Sequence, residues 1–412
     1  MPVRVVVGGA VSSVEIVLDG KPAGLLAGPD WSADLDLGTE IAPHELVARA
    51  LGADRRELAR ARQWLNLPRP PAEVEILLER NASGLATAAR LSWESLTGAR
   101  PRSVRATFDG GPIPVLAESR VAIPAYDPEQ VQLLSVELEC DDAGRARKDL
   151  VFGGRAGEQA QSELTAVPLR ARPGAKPPST LPRGALKTPE RSLDVAAVEE
   201  GAGILLVVRD SLGVRGLGRP DMERYNAMWY RTDLSLDRQT AVRFLWPRPV
   251  EYRGNGLPAE LFPGSREFDG SAGGLRWLLT RVVNPAPEPR APRFTDAVAV
   301  AGLHAYGTFR RRAVLLVLDG QFEDASQYPP DAVRRFLRML RVPFFVWSIG
   351  RPTGARAPWS EAVDVSAENA LRTAFDRIRD ELAGQRIVWV EGRVLPQDIR
   401  LVEDAAGYEL VD

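Results

Sequence analysis

The chain has 412 residues, 44% of them hydrophobic and 26% charged, with a formal net charge of −2. Its length calls for about two to four domains, and the balanced charge excludes general nucleic-acid binding, which needs a concentrated positive surface to release counterions. Cys140 is the single cysteine, so neither an intramolecular disulfide nor a cysteine-based zinc centre can be built.

Two histidines, His44 and His304, further narrow metal and catalytic chemistry. No apolar run is long enough to span a bilayer as a helix. The amino end, MPVRVVVGG, lacks the apolar core and cleavage pattern of a signal peptide. The expectation is a cytosolic protein, or a processed chain with a new start.

Residues 1–153 read as β structure. Val14 to Leu18 runs into Asp19-Gly20, and Val104 to Phe108 into Asp109-Gly110. Each Asp-Gly pair marks a tight hairpin, because glycine accepts positive φ without steric cost. Pro22 and Pro112 follow at the same offset, HELVARAL (44–51) is echoed by QLLSVELE (132–139), and ARARQWLNL (59–67) by GRARKDLVF (144–152). Four matching pieces in one order predict two related β-sandwich modules, 1–67 and 68–167, joined at Pro68-Arg69-Pro70-Pro71. The first is similar to bacterial immunoglobulin-like domains in VEIVLDG (14–20) and HELVARA (44–50).

Residues 168–194, rich in proline, glycine and basic side chains, are expected to be an exposed linker. The texture then changes. GILLVV (203–208), AVRFLW (241–246), AVLLVL (313–318) and VPFFVWSIG (342–350) are near-continuous apolar strands. They alternate with helical spacing in 273–283, 295–307, 329–341 and from Ser366 onward. Buried strands alternating with amphipathic helices predict a parallel sheet covered on both faces, a doubly wound α/β domain over 195–384. Residues 385–412 are expected to form a C-terminal extension with one strand in IVWVEG.

In such a sheet ligands bind at the carboxyl ends of the strands. Arg209-Asp210-Ser211 ends one strand and Asp319 another, while Thr295-Asp296 opens the helix between them. Thr295-Asp296-Ala297, RRRAVLLVLDG and VPFFVWSIG make residues 203–384 resemble a von Willebrand factor type A domain. The resemblance implies a magnesium site built from a D-x-S-x-S loop, a threonine and an aspartate. Aligned strand to strand, that loop falls on Arg209-Asp210-Ser211-Leu212-Gly213, so only Ser211, Thr295 and Asp319 keep their type. Two unit charges about 4 Å apart repel by about 4 kcal/mol at an effective dielectric near 20, and a dication doubles that. A register shifted by one residue installs Asp210 but puts Leu212 and Val214 at the serine positions. Magnesium is therefore disfavoured and no cofactor is expected.

On this reading Asp319 is structural, pairing with Arg209 or capping the turn at Gly320, and Thr295 is a helix N-cap. Arg209, Arg215 and Arg219, interleaved with glycines in RDSLGVRGLGR, offer an anion-binding loop as a sharper hypothesis against that of a solvated loop. Catalytic signals are sparse. No nucleophile elbow is present, His304 is expected in the core, and Cys140 is expected buried and inert. Glu323 and Asp324 are the carboxylates a hydrolase would use. Trp359, in RAPWSEAV, is expected to be exposed and to anchor a partner.

These readings converge on a non-enzymatic protein-binding, scaffold or adhesion protein that acts through the strand-end face of a metal-less type A-like domain. A magnesium-dependent adhesion domain with altered ligands and a hydrolase using the loop carboxylates are the alternatives. The resemblance implies a secreted or periplasmic address, with a cytoplasmic one as the alternative.

Overall fold

The computed structural model describes residues 1–7, 11–69, 72–81, 84–95, 100–116, 119–141, 145–153, 164–172, 181–182, 184–210, 234–249, 261–271, 274–283, 291–318, 323–350, 359, 361–402 and 407–411. The chain divides into two compact units. One comprises Met1–Pro68, Leu164–Glu251 and Glu260–Asp412; the other comprises Arg69–Glu163 and Tyr252–Ala259.

In the first unit, strands Lys21–Leu26, Ser13–Leu18, His44–Leu51 and Glu57–Leu65 form a four-stranded antiparallel sheet in that order. Val14, Ile16 and Leu46 project from it into a small core shared with Leu26 and Leu35. The smaller sheet of this module pairs Pro2–Arg4 with Ser32–Asp34.

In the second unit, two four-stranded sheets enclose a core that includes Val74, Leu91, Leu134, Val136 and the buried Cys140. Phe108, Tyr126 and Phe152 pack together at one end, with the Tyr126 and Phe152 rings edge-on at 5.4 Å. One of these sheets runs Gly111–Ile113, Pro101–Phe108, Val131–Cys140 and Arg145–Gly153. That is the strand order of the first module.

The two hairpins are built alike. Asp19 and Gly20 have φ of 49° and 74°, and Asp109 and Gly110 have 47° and 81°, the left-handed pair a tight turn requires. Each aspartate also ties its turn to the neighbouring strand. Asp19 donates its N–H to Glu45 O at 2.9 Å and accepts the Glu45 N–H on Oδ1 at 2.9 Å. Asp109 makes the same pair with Leu133, at 2.8 and 2.7 Å. Glu45 and Leu133 are the residues that the 44–51 and 132–139 echo equates. Asp19→Ala and Asp109→Ala are each expected to lower stability by about 1 kcal/mol; unchanged denaturation midpoints in both variants would show that the turns hold without the carboxylate.

The expected linker is corrected. Leu164–Ala171 is a strand, hydrogen-bonded to Gln385–Glu391 on one side and Tyr408–Leu410 on the other. Val195–Glu199 pairs with the far edge of Gln385–Glu391. Leu186–Lys187, Ser192–Leu193 and Arg400–Leu401 form a second, three-stranded sheet. Val167, Leu169, Leu186, Leu193, Val388, Val390, Ile399 and Tyr408 fill the space between the two sheets. The segments expected as linker and C-terminal extension, with Leu164–Val167 from the expected second sandwich and Val195–Glu199 from the expected α/β domain, therefore make a third β-sandwich, with the α/β region inserted between Glu199 and Gln385. Pro168 does not break its sheet, because the Tyr408–Leu410 partner reaches only as far as Leu169, so the proline has a neighbour on one side only.

The α/β region is a six-stranded sheet. We label its strands β1 (Gly203–Arg209), β2 (Thr240–Leu245), β3 (Phe268–Asp269), β4 (Arg311–Leu318), β5 (Phe344–Ser348) and β6 (Val363–Asp364). Their spatial order is β3-β2-β1-β4-β5-β6, parallel except for β3. Every residue of β1 and β4 is buried, as expected of central strands covered on both faces. The helices are α1 (Leu275–Arg281), α2 (Phe294–Gly307), α3 (Pro330–Met339) and α4 (Glu368–Gly384). Helices α2 and α3 pack with Leu206, Val208, Leu316 and Val346 on one face. Helices α1 and α4 pack with Leu205, Val207, Phe244, Val317 and Trp347 on the other. A Cβ on Gly302 would stand 2.2 Å from Leu337 Cδ2, so the glycine sets how closely α2 approaches α3.

At the amino edge, two buried arginines open β4. Arg311 donates to Leu382 O near the end of α4 at 2.9 Å and to Gly201 O at 3.0 Å. Arg312 donates to Tyr306 O in the last turn of α2 at 3.2 Å, and to Arg341 O and Leu340 O just past α3 at 3.2 and 3.4 Å. Each guanidinium thus meets carbonyls at the negative ends of helix dipoles, where a cation is favoured. Burial pushes the Arg312 value down to about 10, with Tyr306 opposing.

Candidate functional site

At the carboxyl edge the strand order reverses between β1 and β4, the place where doubly wound sheets bind ligands. Arg209 ends β1 and is only 2% exposed. Its Cζ lies 5.4 Å from the Phe244 ring centroid, on the α1/α4 face. Its Nε and Nη2 are buried and meet no acceptor among the described residues. Burial lowers its value to about 10, and the neighbouring Asp210 carboxylate opposes that shift. The contrast with the amino edge is chemical: Arg311 and Arg312 have carbonyls to donate to, and Arg209 has an aromatic face.

Trp246 follows β2 directly and is also buried, with an indole Nε1 that meets no acceptor among the described residues. Val208 pairs with Leu245 at the end of the β1–β2 ladder, and Arg209 and Trp246 each follow that last pair directly. Trp246 belongs to the same core as Phe244 and Val207, so the two orphan donors share one face of the sheet. Outside them, Arg248 Nη2 donates to Asp210 Oδ2 at 2.7 Å, a partly exposed pair.

The amino end of α2 is held by a carboxylate from the chain after β4. Asp324 accepts the Phe294 N–H at 3.0 Å, the Thr295 N–H at 3.3 Å and the Thr295 hydroxyl at 2.6 Å, together with the N–H and hydroxyl of Ser326. Asp296 accepts the N–H groups of Gln327 and Tyr328 at 2.9 and 3.1 Å and pairs with Arg293. Thr295 is therefore not the N-cap. The helix starts one residue earlier, at Phe294, and no side chain from the Arg293 cap position closes it. One carboxylate from another segment serves two amides and a hydroxyl at once, which a threonine at the cap cannot do.

That role also bears on Asp324 as a hydrolytic base, since both of its oxygens are taken by fixed donors. Glu323 is exposed beside it. Asp324→Ala is expected to destabilise the chain by about 2 kcal/mol through lost capping; an unaltered unfolding midpoint would exclude the carboxylate as the cap.

Trp359 is corrected as well. It is fully buried, edge-on to Phe344 at 5.6 Å and beneath the Arg334 guanidinium at 4.7 Å, and not at the surface as expected. Its polar sequence neighbours gave an exposed reading, but an indole between α3 and β5 buries more apolar area than any surface position would. His304 is half-buried in α2 rather than in the core. Ser211, Arg215, Arg219 and Asp319 lie outside the described residues. Trp246 was read only as the end of the apolar strand AVRFLW, and Arg248, in the WPRP that follows, was not read as a site residue.

No family model matches the chain, and no curated protein matches it. Among solved structures, the fibronectin(III)-like modules of Clostridium thermocellum CbhA are similar at 16% identity, covering 39% of this chain and 85% of that one, with a TM-score of 0.17. The central fibronectin-III array of RIM-binding protein is similar at 13% identity, covering 40% and 66%, with a TM-score of 0.22. A Bifidobacterium dentium beta-glucuronidase complexed with coumarin-3-O-glucuronide aligns at 12% identity over 90% of this chain and 76% of that one, with a TM-score of 0.17. Scores this low carry no argument; the strand pairing described above carries the β-sandwich assignment. No helix among the described residues is long and apolar enough to cross a membrane.

Proposed function

We propose that this chain is a non-enzymatic protein-binding scaffold, and that its recognition face is the carboxyl edge of the α/β region, read as a metal-less von Willebrand factor A-like domain. The observation that carries this is Arg209: a buried guanidinium at the strand-order reversal whose Nε and Nη2 have no acceptor among the described residues. A fold that leaves charged donors unsatisfied at its ligand-binding edge gives up stability there, and such departures concentrate at functional sites.

The residues do not fit the magnesium that the family resemblance implies. Arg209 brings a fixed positive charge to the position of a ligand carboxylate, and the Thr295 hydroxyl is committed to Asp324. The commitment of Asp324 to the α2 terminus likewise weighs against the hydrolase reading.

Capture of a partner from cell extract by the immobilised full chain tests the proposal. Capture is expected to survive EDTA, to fall at least tenfold in Arg248→Glu, and to be unaffected by Leu77→Asp at an exposed sandwich position. Capture that EDTA abolishes restores magnesium-dependent adhesion. Capture indifferent to Arg248→Glu moves the recognition face elsewhere.

A further inference from the structure

The reading of the carboxyl edge as a binding face leaves open what chemistry it accepts, and the two orphan donors answer that. An arginine guanidinium and an indole N–H can only donate, so whatever completes this ledge is an acceptor. The guanidinium is cationic and buried, so the acceptor that neutralises it is an anion. Nε and Nη2 lie side by side on one edge of the planar guanidinium, the edge that takes the two oxygens of a carboxylate in parallel hydrogen bonds. The Phe244 ring lies 5.4 Å from Cζ, a cation–π contact that helps hold the guanidinium in place. Trp246, just past the last β1–β2 pair and in the same core as Phe244, supplies a third unpartnered N–H from a buried ring.

Charge decides between a carboxylate and a phosphate. Among the described residues, Asp210, next in sequence, pairs with Arg248. The Arg209 guanidinium itself supplies one fixed positive charge. A monoanion matches that charge, whereas a phosphate dianion would place a second negative charge near the Asp210 carboxylate.

We propose that the Arg209–Trp246 ledge binds the side-chain carboxylate of an aspartate or glutamate presented by a protein partner, held by direct hydrogen bonds and with no intervening metal ion. This deepens the proposed function and rests on it for the partner, but not for the binding itself.

The test uses the full chain and acetyl-aspartate amide as probe, followed by ligand-observed saturation-transfer NMR in EDTA. Saturable binding is expected. Acetyl-asparagine amide, equal in shape but uncharged, is expected to bind at least tenfold more weakly. Arg209→Met is expected to weaken the aspartate probe at least tenfold, and Trp246→Phe, which keeps the ring and removes the N–H, about threefold to tenfold. Circular dichroism on both variants reports folding, and should one variant fail to fold the other decides.

Absence of binding by the aspartate probe, equal binding of the asparagine probe, or binding unchanged in the folded variants overturns the proposal. Inorganic phosphate outcompeting the probe at equal concentration overturns it in favour of a phosphate site. Failure of the two readings is distinguishable. If extract capture still depends on Arg248 while the aspartate probe does not bind, the recognition face stands and its carboxylate ligand falls. If the probe binds at Arg209 but capture ignores the carboxyl edge, the ledge stands as a small-carboxylate site and the protein-recognition reading falls.

Discussion

Arg312→Met is expected to destabilise the α/β region by about 3–5 kcal/mol, the largest effect of any single substitution considered for this chain. The side chain is fully buried, and its guanidinium donates to the carbonyls of Tyr306, Leu340 and Arg341 while stacking on the Tyr306 ring at 4.9 Å. Methionine matches the apolar stem but offers no donor, so the Leu340 and Arg341 carbonyls past α3 lose this donor and Tyr306 O keeps only a backbone N–H. An unsatisfied buried acceptor costs about 1–3 kcal/mol, and the macrodipole interaction is lost with it. The arginine's own desolvation, which lowers it to about 10, is relieved and offsets part of this loss. Denaturant unfolding followed by tryptophan fluorescence measures the difference. A shift below about 1 kcal/mol would mean that the helix ends are satisfied in some other way.

Arg209→Met is expected to have the opposite sign and to stabilise the fold by about 1–3 kcal/mol. Both arginines are buried in strands of one sheet, and burial lowers both to about 10. For Arg209 that lowering corresponds to about 3 kcal/mol of penalty on the charged form. No carbonyl among the described residues repays it; the Phe244 face returns about 1–2 kcal/mol, and a methionine sulfur would recover part of that contact. The gain is expected to be the same throughout the neutral range, because the ordinary and the lowered values both lie well above it and the group stays charged in both states. A rise in unfolding midpoint together with loss of the aspartate probe is the pattern of a binding residue that costs stability. A fall in midpoint would make Arg209 a structural ion with a partner that the described residues do not include.

The sequence by itself determined the α/β region's helices and its four longer strands, because their signals are local, though not the two-residue edge strands β3 and β6. Continuous apolar runs such as GILLVV and AVLLVL cannot face water on either side, so the strands and the helices covering them follow from the residues alone. The duplicated hairpins were equally legible, since Asp-Gly between alternating strands dictates the turn, and the echo of 44–51 in 132–139 even equates the two residues, Glu45 and Leu133, that the aspartates bind. The third sandwich was not legible. Leu164–Ala171 pairs with residues more than two hundred positions later, and a short strand containing Pro168 has no local pattern that separates it from a proline-rich linker.

The site divides the same way. That Arg209 sits at a strand end was readable, but its lack of an acceptor and its contact with Phe244 depend on which strand lies next to β1. Likewise Thr295 carries an N-cap signal that Asp324 overrides from another segment, and Trp359 carries a loop signal that a core vacancy overrides. Periodicity and turn chemistry act within a few residues and are written in the chain; who satisfies a buried donor, and who fills a gap, is settled only when distant segments meet.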